Sequence, residues 1–251
     1  MPVRRLPDNR VLVRYTSPRG VATADVVPRS HAVTVDSPQP TVQRLPGPTT
    51  PGSSEAPRTS SARPTGGAKL RILETAARLF YEEGIRGVGV DRLIAEASVT
   101  KATFYKHYGS KDNLILAYVR SRHEQVKQAM DTIIAEAPDA RTAVGTWVDT
   151  VVDTTNDPDF RGCAFLNAAA EYHDPRHPVR EVVSAHRDWY TDQLAELLQQ
   201  AGHPLPGDGA DELMLARDGA MVGSYAGDTI AACAALGRVA SRVLGTDAPA
   251  A

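Results

Sequence analysis

Residues 97–114, ASVTKATFYKHYGSKDNL, gather an unusual density of groups able to do chemistry. Thr100, Thr103 and Ser110 contribute hydroxyls, Lys101, Lys106 and Lys111 ammonium groups, and His107 an imidazole. Three rings, Phe104, Tyr105 and Tyr108, are interleaved with them in a chain that is only 6% aromatic. On a short helix over 101–108, Phe104 and Tyr108 lie at i and i+4. They are expected to pack inward with Leu93, Ala97 and Val99. The other face then presents Thr100, Lys101, Thr103, Tyr105, Lys106 and His107. Hydroxyl, ammonium and phenol donors near a helix N-terminus suit phosphate oxygens and the acceptors of the DNA major groove. Lys111, just past Gly109, is placed to reach a flanking phosphate. This is the chemistry of binding, not of bond breaking.

Such a helix needs a support, and the preceding residues supply one. KLRILETAARLFYEEG predicts an amphipathic helix with Leu70, Leu73, Ala77 and Phe80 on one face, stopped by Gly84. VDRLIAEA predicts a second helix with Asp91 in its first turn, where a carboxylate complements the dipole. Three residues, Ser98 to Thr100, separate it from the third. Two helices joined by so short a turn, after a third, form a helix-turn-helix arrangement.

Beyond Ser110, an expected N-cap, the pattern stays helical. Pro138-Asp139, DPDFRG, HDPRHP and HPLPGDG read as breaks, and Pro178 sits in a first turn. The expectation is an all-α fold of about nine helices. Its N-terminal three-helix DNA-binding domain spans 69–115, and a C-terminal helical ligand-binding and dimerisation domain spans 116–251. Residues 1–68 hold eleven of the 18 prolines. They read as a disordered Pro/Arg-rich extension, although VLVRY at 11–15 has the pattern of a lone strand without an obvious partner. The extension is either a basic tail that adds DNA affinity or the product of a start assigned too far upstream.

The net charge of −2 hides a segregation. Residues 1–68 carry +5, residues 69–120 carry +3, and residues 121–251 carry −10. Only the front suits a polyanion. No apolar run approaches a membrane span, and the N-terminus lacks the apolar stretch of a secretory signal. Cys163 and Cys233 stand 70 residues apart, which makes neither a metal pair nor a disulfide framework. A cytoplasmic setting is expected.

KLRILETAARLFYEEGIRGVGVDRLIAEASVTKATFYKHYGSKDNLILAYV resembles the N-terminal domain of the tetracycline-repressor (TetR) family of bacterial transcriptional regulators. The likeness covers about 50 residues, through A-A-x-L-F, the turn, and T-K-A-T-F-Y-K-H-Y-x-S-K. It implies a homodimer on a palindromic DNA operator, with a small-molecule effector bound by the rear domain. Mapped residue by residue, it implies DNA contacts from Val90, Thr100, Lys101, Ala102, Thr103, Tyr105, Lys106, His107 and Lys111. Two positions depart from the family pattern: Ser98 replaces the usual Gly at a left-handed turn position, and Ile94 replaces a smaller residue.

The rear resembles the family less specifically. Trp147, Phe165, Asn167, Tyr172, Trp189 and Tyr190 are candidate ligand contacts, since rings with a few polar groups suit small organic molecules. The alternative is that the tryptophans and Phe165 fill the core. Ala216, Gly219, Ala220, Gly223, Ala231, Ala234 and Ala235 make the last two helices rich in small residues. Close helix approach follows, either inside one protomer or, as the resemblance implies, in a four-helix dimer interface. Dimerisation also suits function, because one short helix reads only a few base pairs.

An enzyme is not expected. Pro175 and Pro178 prevent a regular helical i, i+4 pairing of His173 and His177, no H-E-x-x-H occurs, and VGSYAG lacks the spacing of a nucleophile elbow. No catalytic residue, metal or cofactor is assigned. The expected function is a ligand-responsive one-component transcriptional regulator, with repression the expected sign. The alternatives are a DNA-binding dimer without a ligand and a helical protein-interaction dimer.

Overall fold

The computed structural model describes residues 67–246, and before them only the backbone of three strands, β1 (Val3–Arg5), β2 (Val11–Ser17) and β3 (Gly20–Val26). The strands pair antiparallel in the order β1-β2-β3, with Val3 opposite Val13 and Ser17 opposite Gly20. The expected lone strand at 11–15 therefore has two partners. The rest of the expected disordered extension lies outside the described residues. The small alanines of β3, Ala22 and Ala24, give it little hydrophobic alternation to detect.

Residues 67–246 form a separate unit containing nine helices and no strand. They are α1 (Ala68–Glu83), α2 (Val90–Glu96), α3 (Lys101–Tyr108), α4 (Lys111–Glu136) and α5 (Ala140–Thr155), then α6 (Ala164–Glu171), α7 (Pro178–Gln200), α8 (Pro206–Ala226) and α9 (Thr229–Val243). The all-α expectation holds here. Thr100, Ser110, Asp139 and Asp228 cap α3, α4, α5 and α9, each accepting the N–H three residues on. Such a cap is worth about 1 kcal/mol.

Two details differ from the sequence pattern. The buried stripe of α1 is Ile72, Ala76, Leu79 and Phe80, while Leu70 is 48% exposed. The stripe is rotated because Leu73 and Ala77 pack only at its edge. HPLPGDG is not wholly a turn: α8 starts at Pro206, a residue well suited to a first helical position.

One continuous set of buried side chains runs from Ile72 to Val243, so α1–α3 share their core with the helices behind them. Phe80 meets Tyr118 of α4 edge-on at 5.6 Å. Among the described residues, no helix is long and apolar enough to cross a membrane.

Candidate nucleic-acid interface and effector cavity

Two rings lock α3 in place. Phe104 is fully buried, and Tyr108 is buried with its hydroxyl donating to the Lys69 carbonyl at 2.8 Å. Leu93 and Ala97 are buried beside them, and Val99 and Ile94 pack against the same core. The turn before α3 passes through Ser98, whose φ of 51° is the single positive value among non-glycine described residues. The sequence departure at Ser98 thus falls on a truly left-handed position, at a cost on the order of 1 kcal/mol.

The outward side of α3 carries the donors. Lys101, Ala102, Tyr105 and Lys106 are exposed, while Thr103 and His107 are half-buried. Tyr105 rests edge-on against Phe104 at 5.3 Å and stays 44% exposed. Thr100 is committed locally, accepting the Thr103 N–H at 3.1 Å with its hydroxyl 2.8 Å from that of Thr103. Val90 opens α2 and is half-buried. Lys111 also is half-buried, its ammonium 5.9 Å from the centre of the Phe80 ring. Burial holds its pKa below the usual value, against the opposing pull of Glu171 and Asp112. Nearby acids are occupied elsewhere: Glu82 and Glu96 pair with Arg78, and Glu83 and Glu96 with Arg92. Among the described residues, neither Lys101 nor Lys106 is ion-paired, so both remain available to phosphates.

Two polar clamps tie α1 and the turn after it to α6 and the loop before it. The Tyr81 hydroxyl donates to the Gly162 carbonyl at 2.9 Å and accepts the Arg161 N–H at 2.9 Å. Glu171 accepts the N–H groups of Ile85 and Arg86, each at 2.7 Å, in the turn after α1. That turn begins at Gly84, φ 85°, where an added Cβ would come within 3.3 Å of the Glu171 carboxylate.

Behind the clamps, α1, α4, α5, α6, α7 and α8 line a cavity of about 230 Å³. Trp147, Phe165 and Tyr190 line it, with the Trp147 indole donating to the Tyr190 hydroxyl at 2.7 Å. The other three candidates lie away from it. Asn167 is exposed and donates to the Arg161 carbonyl, Tyr172 stacks on His177 at 4.1 Å, and Trp189 meets His123 edge-on at 5.1 Å. Periodicity alone did not separate them, because a helix can turn adjacent rings to different neighbours. Sequence reasoning missed Tyr81, Arg122, Cys163 and Arg217 in the cavity wall. A signal for Arg217 existed: it occupies the buried stripe Leu213, Met214, Arg217, Ala220, Met221 of α8.

Beside the cavity, His186 is buried, stacked on Phe165 at 3.5 Å, with its Nδ1 3.0 Å from that of His123. One of the two imidazoles must donate and the other accept. Burial pushes the pKa of His186 down to about 3, assisted by His123, Arg217 and Arg187.

The small-residue rows divide between two sides of α8 and α9. Ala220 is buried, Ala216 packs against the core, and an added Cβ at Gly223 would come within 3.1 Å of the Ala232 Cβ. Ala220 is thus taken up by packing within the chain, while Ala216 and Gly223 are half-buried. Gly219, Ala231, Ala234 and Ala235 are exposed. Around them stand Leu215, 72% exposed, and Ile230, 84% exposed, with Val222 and Tyr225.

Residues 72–118 match the model of the bacterial regulatory proteins, tetR family. The crystal structure of SCO4454, a TetR-family transcriptional regulator from Streptomyces coelicolor, is 41% identical to this chain. It superposes with a TM-score of 0.69 over 71% of this chain and 95% of that one. The chain belongs to the tetR family of transcriptional regulators and is not an enzyme. The HTH-type transcriptional repressor SCO4008 of Streptomyces coelicolor is 32% identical over 93 residues, 37% of this chain and 45% of that protein. The match thus spans less than half the length of that relative. The HTH-type transcriptional regulator LmrA of Bacillus subtilis is 26% identical over 140 residues, 55% of this chain and 74% of its own.

Proposed function

We propose that this regulator is a cytoplasmic one-component repressor that binds a palindromic operator as a homodimer and leaves it when a small molecule enters the cavity. The observation that carries the reading is the Tyr81 clamp. Tyr81 belongs to the helix against which α3 packs and to the cavity wall at once, and it holds Arg161 and Gly162 on the cavity side. A ligand that displaces this wall changes the support of α3. Differential affinity for two positions of the support is all that release requires.

In this reading residues 69–115 read DNA, and residues 116–251 bind the effector and the second protomer. Thr100 to His107 enter the groove, and Val90 and Lys111 meet the backbone, Lys111 by swinging away from Phe80. The exposed apolar face of α8 and α9 pairs with its copy, setting two α3 helices about one DNA turn apart.

A gel-shift titration against the intergenic DNA flanking the gene, at two salt concentrations and with competitor DNA, tests the reading. Saturable binding that survives competitor and weakens with salt supports it. Binding abolished by competitor leaves only a non-specific basic surface. No binding at either salt favours a helical protein-interaction dimer, and operator binding that no small molecule relieves favours a ligand-independent DNA-binding dimer.

A further inference from the structure

The cavity wall contains a charge that its surroundings do not complete. Arg217 is only 6% exposed, and its guanidinium remains protonated in any protein setting. Its Nη1 donates to Asp218 at 2.8 Å and lies 3.5 Å from the Cys163 sulfur. Its Nε, buried, has no hydrogen-bond partner among the described residues. Asp218 cannot neutralise it alone, because the same carboxylate accepts Arg187 at 2.6 Å. One carboxylate between two guanidiniums leaves a net positive charge beside the cavity.

The rest of the wall does not supply the missing anion. Arg122 is a second guanidinium on it, hydrogen-bonded to the neutral Gln125 at 3.1 Å. Among the described residues, no Asp or Glu lines the cavity. Met130, Val151, Phe165 and Met221 make much of the remainder apolar. The Tyr190 hydroxyl accepts from Trp147, which leaves its own proton as a further donor. A buried, incompletely bonded cation is costly to the fold unless an anion completes it. Apolar walls around such a group define an amphipathic ligand with one acidic end.

We propose that the cavity takes a small monocarboxylic acid with an apolar tail, its carboxylate held by the free edge of Arg217 and its tail among the methionines and Phe165. This rests on the reading of the cavity as the effector site and names the chemical class of the effector. Guanidinium and carboxylate are matched in charge and in fork geometry. A neutral or cationic molecule of the same shape leaves Arg217 as it is, or opposes it.

The test is calorimetric titration of the full chain with hexanoate, octanoate and 4-phenylbutyrate, each beside its alcohol, and with octylamine. Expected is at least one acid bound roughly 10-fold more tightly than its alcohol, with octylamine the weakest of the octyl series. In Arg217→Gln that acid loses roughly 10-fold while its alcohol changes little. Should Arg217→Gln not fold, the comparison of acids with alcohols in the unaltered chain decides alone. Alcohols that bind as well as their acids overturn the proposal. So does a folded Arg217→Gln that keeps its affinity for the acid, or the failure of all three acids to bind. The gel shift separates this from the effector reading. An acid that binds selectively but leaves DNA bound sinks the effector reading and spares the site. An alcohol that binds equally well and releases DNA does the reverse.

Discussion

The Glu171 carboxylate accepts the backbone N–H of Ile85 at 2.7 Å, joining the last turn of α6 to the loop that leads into α2. Its second oxygen holds Arg86 at the same distance. A charged acceptor on two backbone donors is among the stronger hydrogen-bond arrangements. It gives α6, whose first residues line the cavity, a direct grip on the α1–α2 turn. Glu171→Ala is expected to lower stability by about 1–3 kcal/mol in urea melts, and Glu171→Gln, with one acceptor oxygen left, by less. In Glu171→Ala the effector is expected to bind yet release operator less completely, read as a smaller shift in the gel-shift midpoint. Full release in that variant means that the signal travels by the Tyr81 contacts instead.

The two faces of α3 make opposite predictions. Tyr105→Ala removes a 44% exposed ring and should cost operator affinity, with stability changed by less than about 0.5 kcal/mol. Lys106→Ala should weaken operator and competitor DNA alike and flatten the salt dependence by about one unit of slope. Phe104→Ala empties a fully buried site and should cost about 3–5 kcal/mol, visible as a lowered thermal midpoint before any DNA is added.

His186 sets a direction for the acid side of the stability profile. Its folded pKa, about 3, lies below an unfolded value near 6.5. Above pH 6.5 neither state holds the proton and this group adds no pH dependence. Below it the unfolded chain takes up a proton that the folded one refuses. Stability then falls as the pH drops, by at most about 1.4 kcal/mol per unit, until pH 3. Urea midpoints at pH 7 and pH 5 measure this, and His186→Gln should show a smaller difference between them. An equal difference in the variant places the titration elsewhere.

At Ser98 the backbone stands where glycine is at ease. Ser98→Gly should raise stability by up to about 1 kcal/mol, and the β-branched Ser98→Val should lower it by more. Both effects should appear in denaturant midpoints while affinity for the operator stays within about twofold, since Ser98 lies outside the donor face of α3.

The exposed face of α8 and α9 predicts the oligomeric state. Ile230→Asp puts a charge where 84% of a large apolar side chain now meets water. In a monomer such a change is nearly neutral, whereas in a dimer buried at that point it is strongly disfavoured. Light scattering should show a dimer for the unaltered chain and a lower mass for Ile230→Asp. Equal masses place the interface on another face.

What was legible in the sequence was local. Helix ends are written in single residues, as at Gly84, Ser110, Asp139 and Pro178, and the i, i+4 spacing of Phe104 and Tyr108 placed both inside. What was not legible depends on pairs far apart in the chain. His123 and His186 meet across 63 residues, and Glu171 and Ile85 across 86. No periodicity reports such a pairing. The α1 stripe was misjudged because two adjacent rows are apolar and only packing selects between them. Arg217 was passed over because a charged residue is ordinarily assigned to solvent.

On α3, Lys101, Ala102, Tyr105 and Lys106 are exposed, while the buried Phe104 and Tyr108 hold the helix to its support. If α3 reads DNA as proposed, recognition and foldedness are stored in different residues of the same eight-residue helix. After gene duplication, a copy can drift through these outer positions to a new target sequence without passing through an unstable intermediate. The fold would leave the address rewritable while the machinery behind it stays as it is.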